Sequence, residues 1–170
     1  MSPPELERLY DTHAQAVFVF LLNITRSETD AREALQELFL KLGRLELDPA
    51  ALRDERAYLL RLAHHQAIDS LRRRETRHRL ETAASESRIE LFASAPDPDT
   101  AAFRRELSTA LAALPSEQRS VVHLKLWEGR SFLDIAAILQ IPANTAASRY
   151  RYGLEKLRDR LQPLYDEIRP

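Results

Sequence analysis

"SFLDIAAILQIPANTAASRYRYGLEKLRDRL", residues 131–161, decides how the chain folds. Ser131 followed three residues later by Asp134 marks a helix start. Each side chain reaches a backbone N–H that the first turn leaves unsatisfied. "FLDIAAILQ" then predicts a short helix, and "IPAN" a tight connection, with Pro142 where such turns more usually carry glycine. "TAASRYRYGLEKLRDRL" predicts a long basic helix whose inner face carries Leu154, Leu157 and Leu161. A short helix, a tight turn and a second helix that is polar and basic at its start describe a helix-turn-helix. The major groove of DNA admits one helix, and short polar and cationic side chains near its N-terminus read base edges and phosphates. Here those are Asn144, Thr145, Ser148, Arg149 and Arg151. A helical hairpin with a solvated charged face fits the same pattern, because helices joined by short loops are common in all-α proteins.

A second basic cluster lies upstream. "AIDSLRRRETRHR", residues 67–79, begins as a packable helix and ends with Arg72, Arg73, Arg74, Arg77 and Arg79. Residues 56–79 carry seven arginines against Asp69 and Glu75, a net +5, although the 170-residue chain has a formal charge of -1. Residues 81–117 carry −4 and residues 143–161 carry +3. Two basic blocks thus flank an acidic middle, and such asymmetry makes local positive fields in a neutral chain. The run from Arg72 to Arg79 suits a phosphate track, where each neutralised phosphate releases condensed counterion. A solvated helix end, with cations complementing the dipole, is the plainer alternative.

The composition favours helices: only three glycines, with hydrophobic residues at 44% and charged residues at 30%. Ser2, Pro3 and Glu5 predict a capped helix start, with apolar residues through Val17, Phe18, Phe20, Leu21 and Ile24. A second helix is expected from Thr29 or Asp30, with Ala31, Ala34, Leu35, Leu38, Phe39 and Leu42 on one face. Its other face carries Asp30, Glu33, Gln36 and Glu37, which by pattern alone is a solvated surface. Residues 43–53 read as a connection. A third helix is expected from about Asp54 to about Arg79, with Leu60, Ala63, Ala67 and Leu71 inward. Residues 81–100 read as an acidic linker. Helices follow in "DTAAFRRELSTALAAL" and "SEQRSVVHLKLWEG", where Trp127 reads as core.

The chain contains no cysteine, which excludes disulfides and thiolate metal sites. His13, His64, His65, His78 and His123 make no i, i+4 metal pair, so no metal is expected. His65 and Asp69 stand one turn apart, within hydrogen-bonding reach. No Gly-rich phosphate loop or nucleophile elbow occurs, so neither an enzyme nor a cofactor is expected. No apolar run approaches the roughly 20 residues of a membrane span, and "MSPPELERLY" does not resemble a signal peptide. A cytoplasmic location and no membrane insertion are the expectation.

Three stretches in this order resemble the extracytoplasmic-function group of bacterial RNA polymerase sigma factors. They are "LYDTHAQAVFVFL" with "DAREALQELFLKL", then "AYLLRLAHHQAIDSLRRR", then residues 114–161. The resemblance implies an all-α fold of two small helical domains. Residues 1–80 would be sigma region 2, which binds core polymerase and recognises and melts the minus-ten element. Residues 81–100 would be the linker, and residues 101–170 sigma region 4, which reads the minus-thirty-five element. It implies that Asp30, Gln36, Glu37 and Phe39 grip the clamp coiled coil of the polymerase β′ subunit. It places His65, Asp69 and Arg72 to Arg74 at the displaced minus-ten strand. The implied partners are core polymerase, through its β′ clamp and β flap, and promoter DNA, with an anti-sigma factor left open. His65 stands where the family commonly has Asn, Tyr58 where Trp is frequent, and Ala147 where Lys or Arg is common. Gln140 and Asn144 replace frequent glycines. These departures imply an atypical promoter or weaker DNA affinity, not a different fold. A free-standing helix-turn-helix regulator and a helical protein-interaction module are the alternatives.

Overall fold

The computed structural model describes residues 1–78 and 98–168, with side chains described over 1–76 and 103–163. The expected linker therefore lies almost wholly outside the described residues, as do Arg79 and the side chain of Arg77. The chain divides into two compact units, Met1–Ser87 and Arg88–Pro170. Among the described residues every regular element is helical.

The first unit packs three helices against one another: α1 (Pro3–Thr25), α2 (Glu28–Arg44) and α3 (Glu55–His78). The Ser2 backbone N–H donates to Glu5 Oε2 at 2.8 Å, so the capping pair read from the sequence is formed. Helix α1 ends at Arg26, whose φ of 58° is left-handed, and its N–H closes on the Leu22 carbonyl. Ser27 follows at once and caps α2, its hydroxyl accepting from the Asp30 N–H at 3.2 Å. Helix α2 therefore starts at Glu28, slightly earlier than the sequence suggested. Both Ser27 and Thr29 are competent caps, and the reversal at Arg26 selects the first.

The interdigitated core of this unit is Leu9, Val17, Phe20, Leu21 and Ile24 from α1, Ala31, Ala34, Leu38 and Leu42 from α2, and Leu59, Leu60, Ala63 and Ala67 from α3. A single 3-10 turn, Pro49–Ala51, lies within the α2–α3 connection. The start of α3 is fastened to α1 by Glu55, whose carboxylate takes both Arg8 guanidinium nitrogens, one at 3.1 Å. His13 Nε2 stands 3.4 Å from the same carboxylate. The Arg8 hydrogen bonds hold the Glu55 carboxyl below the ordinary glutamate range, and His13 adds to this against the opposing effect of burial. A carboxyl whose folded pKa is depressed stabilises the fold above its unfolded pKa and loses that contribution as pH falls through the folded value. Accordingly Glu55→Gln lowers the melting temperature at neutral pH. The gap to the unsubstituted chain closes as the pH is taken below the ordinary glutamate pKa. Melting curves across pH 3–7 check this; a gap that stays constant over the series rejects it.

The second unit comprises α4 (Pro98–Ala112), α5 (Ser116–Leu126), α6 (Phe132–Leu139) and α7 (Ala143–Ile168). Helices α4, α5 and α6 all pack on α7. Ala110, Leu111, Leu114, Val122 and Leu157 form the centre, with Leu107, Tyr150, Leu154 and Leu161 packed against it. A Cβ on Gly153 would lie 2.9 Å from Val122 Cγ2, so α7 approaches α5 at a distance only glycine allows. The Ser131–Asp134 cap is present, with the Ser131 N–H donating to Asp134 Oδ2 at 3.1 Å. Helix α6 closes at Gln140 in the left-handed region, φ 55°. A backbone better suited to glycine is thus imposed on glutamine, at a cost on the order of 1 kcal/mol. Asn144, at the other position where glycine is frequent, is helical. Helix α7 starts two residues before the expected Thr145, because the Pro142 carbonyl accepts from both Thr145 and Ala146 N–H. It continues past Pro163 to Ile168, giving up the ladder bond that proline cannot donate.

Trp127 is not core. It sits at the C-cap of α5, is 42% exposed, and stacks on His123 with ring centroids 5.6 Å apart. The apolar spacing that suggested burial does not extend beyond the helix end.

Candidate nucleic-acid and polymerase interfaces

In the first unit, α3 exposes His65, Asp69 and Arg72 at spacings of four and three, so all three lie on one outward face. Arg73 and Arg74 follow but turn toward α2. Arg73 Nη2 lies 3.8 Å from Glu37 Oε2, and Arg74 Nη1 lies 4.0 Å from Asp30 Oδ2. These pairs border a polar cleft of about 370 Å³ that also takes in Ser27, Glu33 and Ser70. Gln66, buried in α3, donates to Glu37 Oε2 at 3.4 Å. Sequence reasoning missed Gln66, because its position on the inner face of α3 is otherwise apolar and nothing local marks a polar contact there. The long, half-exposed ion pairs are worth about 0.2–1 kcal/mol each. That is small enough for a phosphate to displace the carboxylates.

Helix α2 borders a second cleft on its other side. Gln36 and Phe39 border a groove of about 840 Å³ shared with α1, lined also by Tyr10, Phe18, Leu35 and Leu40. Leu40 and Tyr10 are exposed, whereas Phe39 is only 7% exposed and meets the Tyr10 ring edge-on at 4.9 Å. The four α2 residues singled out in the sequence therefore separate. Gln36 and Phe39 face the α1 groove, and Asp30 and Glu37 face the arginines of α3.

In the second unit, α6, the Gln140–Pro142 turn and the start of α7 make the helix-turn-helix. Asn144 is exposed and Thr145 half-buried. The Ser148 hydroxyl donates to the Thr145 carbonyl at 3.0 Å, which leaves its oxygen able to accept. Arg149 is drawn toward α5, its Nη2 3.6 Å from Glu117 Oε1, with 28% of its side chain exposed. Arg151 points outward with its guanidinium over the Tyr152 ring, 5.0 Å from the centroid. The turn before α6 is braced by Lys125, which donates to the Arg130 carbonyl at 3.2 Å and lies over the Phe132 ring. Among the described residues no group of three or more His, Asp or Glu could hold a metal, and no helix is long and apolar enough to cross a membrane.

The sigma-70 region 2 family matches residues 9–77. The sigma-70 region 4 family matches residues 104–157. The ECF RNA polymerase sigma factor SigL of Mycobacterium tuberculosis is 32% identical over 161 residues, covering 94% of this chain and 90% of SigL. The RNA polymerase sigma factor CarQ of Myxococcus xanthus is 33% identical over 166 residues, covering 95% and 92%. The sigma factor RpoE of Bartonella quintana, solved in complex with the anti-sigma factor NepR, superposes with a TM-score of 0.74 over 93% of this chain and 97% of its own. At 19% identity that likeness shows the fold.

Proposed function

Because the chain belongs to the extracytoplasmic-function RNA polymerase sigma factors, we propose that its two units divide promoter engagement between the residues described above. A member of this family binds core RNA polymerase, directs it to promoter DNA and helps initiate transcription, without itself being the catalyst of RNA synthesis. Residues 1–80 act as region 2. Gln36 and Phe39, with Asp30 and Glu37, meet the β′ clamp, while His65, Asp69, Arg72, Arg73, Arg74 and Arg77 meet the minus-ten strand. Unstacking a base costs a few kcal/mol, and phosphate contacts and base capture offset it. Residues 81–100 link the units. Residues 101–170 act as region 4, with Asn144, Thr145, Ser148, Arg149 and Arg151 reading the minus-thirty-five duplex and the same unit meeting the β flap. The work is cytoplasmic, where polymerase and promoter are, and an anti-sigma factor is a further partner, as RpoE has in NepR.

One observation carries this reading. Each unit exposes arginines on a helix, and each unit matches its own sigma region. A free-standing helix-turn-helix regulator would need only the second unit. In vitro transcription with core polymerase over a promoter library is the decisive experiment; duplex binding with no polymerase dependence would favour the regulator instead.

Replacing Gln36 by Ala and Glu37 by Gln together should weaken core-polymerase binding roughly 10- to 100-fold, the range of a small interface hot spot. Glutamine at 37 keeps an acceptor for Gln66, so helix content should be unchanged by circular dichroism. Undiminished binding in a pull-down or titration with core polymerase would remove the clamp assignment.

A further inference from the structure

We propose that Tyr152 is a positioning residue of the DNA-reading helix, holding the Arg151 guanidinium outward in the pose in which it meets DNA; this rests on α7 being that helix. Arg151 Nη2 donates to the Tyr152 hydroxyl at 3.3 Å while the guanidinium lies over the ring. Tyr152 is 49% exposed, so its ring stands at the surface beneath the Arg151 guanidinium and is not held in the core. One turn further along α7 stands Glu155, also exposed, at the i, i+4 spacing at which helix ion pairs form. Among the described residues Arg151 makes no such pair. Its guanidinium goes to the aromatic ring instead.

The contrast with Arg149 shows what that choice does. Arg149 is drawn onto Glu117, so part of its charge is answered within the protein. A phenol answers no charge. It restrains the arginine by stacking and one hydrogen bond and leaves the full cation for a phosphate or a guanine edge. A free arginine loses rotamer freedom when it docks on DNA, and one already restrained loses less. Asn144 and Ser148 share the outward face with Arg151, so the restrained guanidinium extends the polar surface by one turn. Tyrosine at 152 has no local role in the helix core, and the sequence pattern did not mark it.

The test uses the full chain assembled with core polymerase, on the promoter that the unsubstituted holoenzyme selects from a randomised library. Tyr152→Ala should weaken binding about 3- to 10-fold, while the slope of log K against log salt stays unchanged because no charge is lost. Arg151→Ala should weaken binding and lower the slope by about one. In the Arg151→Ala background, Tyr152→Ala should change affinity less than about twofold, since the group it positions is gone. Tyr152→Phe, which keeps the ring, should retain most of the affinity and guards against misfolding in the alanine variant. Equal effects of Tyr152→Ala with and without Arg151 would overturn the proposal, as would no effect in the unsubstituted background. If Arg151→Ala leaves affinity and slope untouched, the assignment of Arg151 to DNA falls first, and the role of Tyr152 with it.

Discussion

Replacing Arg72, Arg73 and Arg74 together by alanine should cut the affinity of the holoenzyme for an open promoter about fiftyfold near 0.15 M salt. Each phosphate neutralised on a single strand contributes a slope of about −0.7 in log K against log salt, so three contacts contribute about −2. The loss should therefore be large at low salt and shrink as salt rises. The internal competitors are weak. Glu37 and Asp30 stand 3.8 and 4.0 Å from Arg73 and Arg74, half exposed, at about 0.2–1 kcal/mol per pair. Phosphate should outcompete them, because it brings counterion release that an internal carboxylate lacks. The measurement is open-complex stability at four or five salt concentrations. An unaltered slope would show that these arginines do not lie on the strand.

Phe20→Ala should destabilise the first unit by about 3–5 kcal/mol, the cost of a large cavity where partial collapse is blocked. Phe20 is fully buried, in a three-helix unit whose core also takes in Leu9, Val17, Leu21 and Ile24 of α1. A unit of this size holds roughly 5–10 kcal/mol in all. Its melting transition should fall by more than about 15 °C, and polymerase binding should fail with it near 37 °C. Leu45→Ala, at an exposed position after α2, is the control and should change stability by less than about 0.5 kcal/mol. Thermal melts of both variants decide the matter. A Phe20→Ala transition close to that of the control would mean the bundle core lies elsewhere.

Most of the helical frame was legible because its signals act within one turn. Ser2 with Glu5 and Ser131 with Asp134 mark two helix starts, and the structure forms both. The periods through Leu38 and Leu42, and through Ala63 and Ala67, name buried residues. Misplaced boundaries arose where two local options were equivalent. Ser27 and Thr29 each could cap α2, and the left-handed turn at Arg26 chose between them. Trp127 misled because an apolar neighbourhood in sequence says nothing once the helix has ended. His65, Asp69 and Arg72 share an outward face of α3 through the same 3.6 residues per turn, although in the sequence only the family resemblance grouped them.

By itself, then, the sequence determined which segments are helices, which stripe of each is apolar, and that two cationic helix surfaces exist in one chain. Only the tertiary structure decided what each long cation meets. Arg73 and Arg74 turn to the acids of α2, Arg149 turns to Glu117 of α5, and Arg151 is presented outward on Tyr152. It also decided that α2 presents two different sides, with Gln36 and Phe39 on the groove with α1 and Asp30 and Glu37 against α3. The physical reason is range. Caps and periodicity are settled by neighbours within four residues, whereas an arginine or glutamate chooses among whatever charges and rings another helix brings within about 4–6 Å. That proximity is a product of packing, which no local pattern encodes.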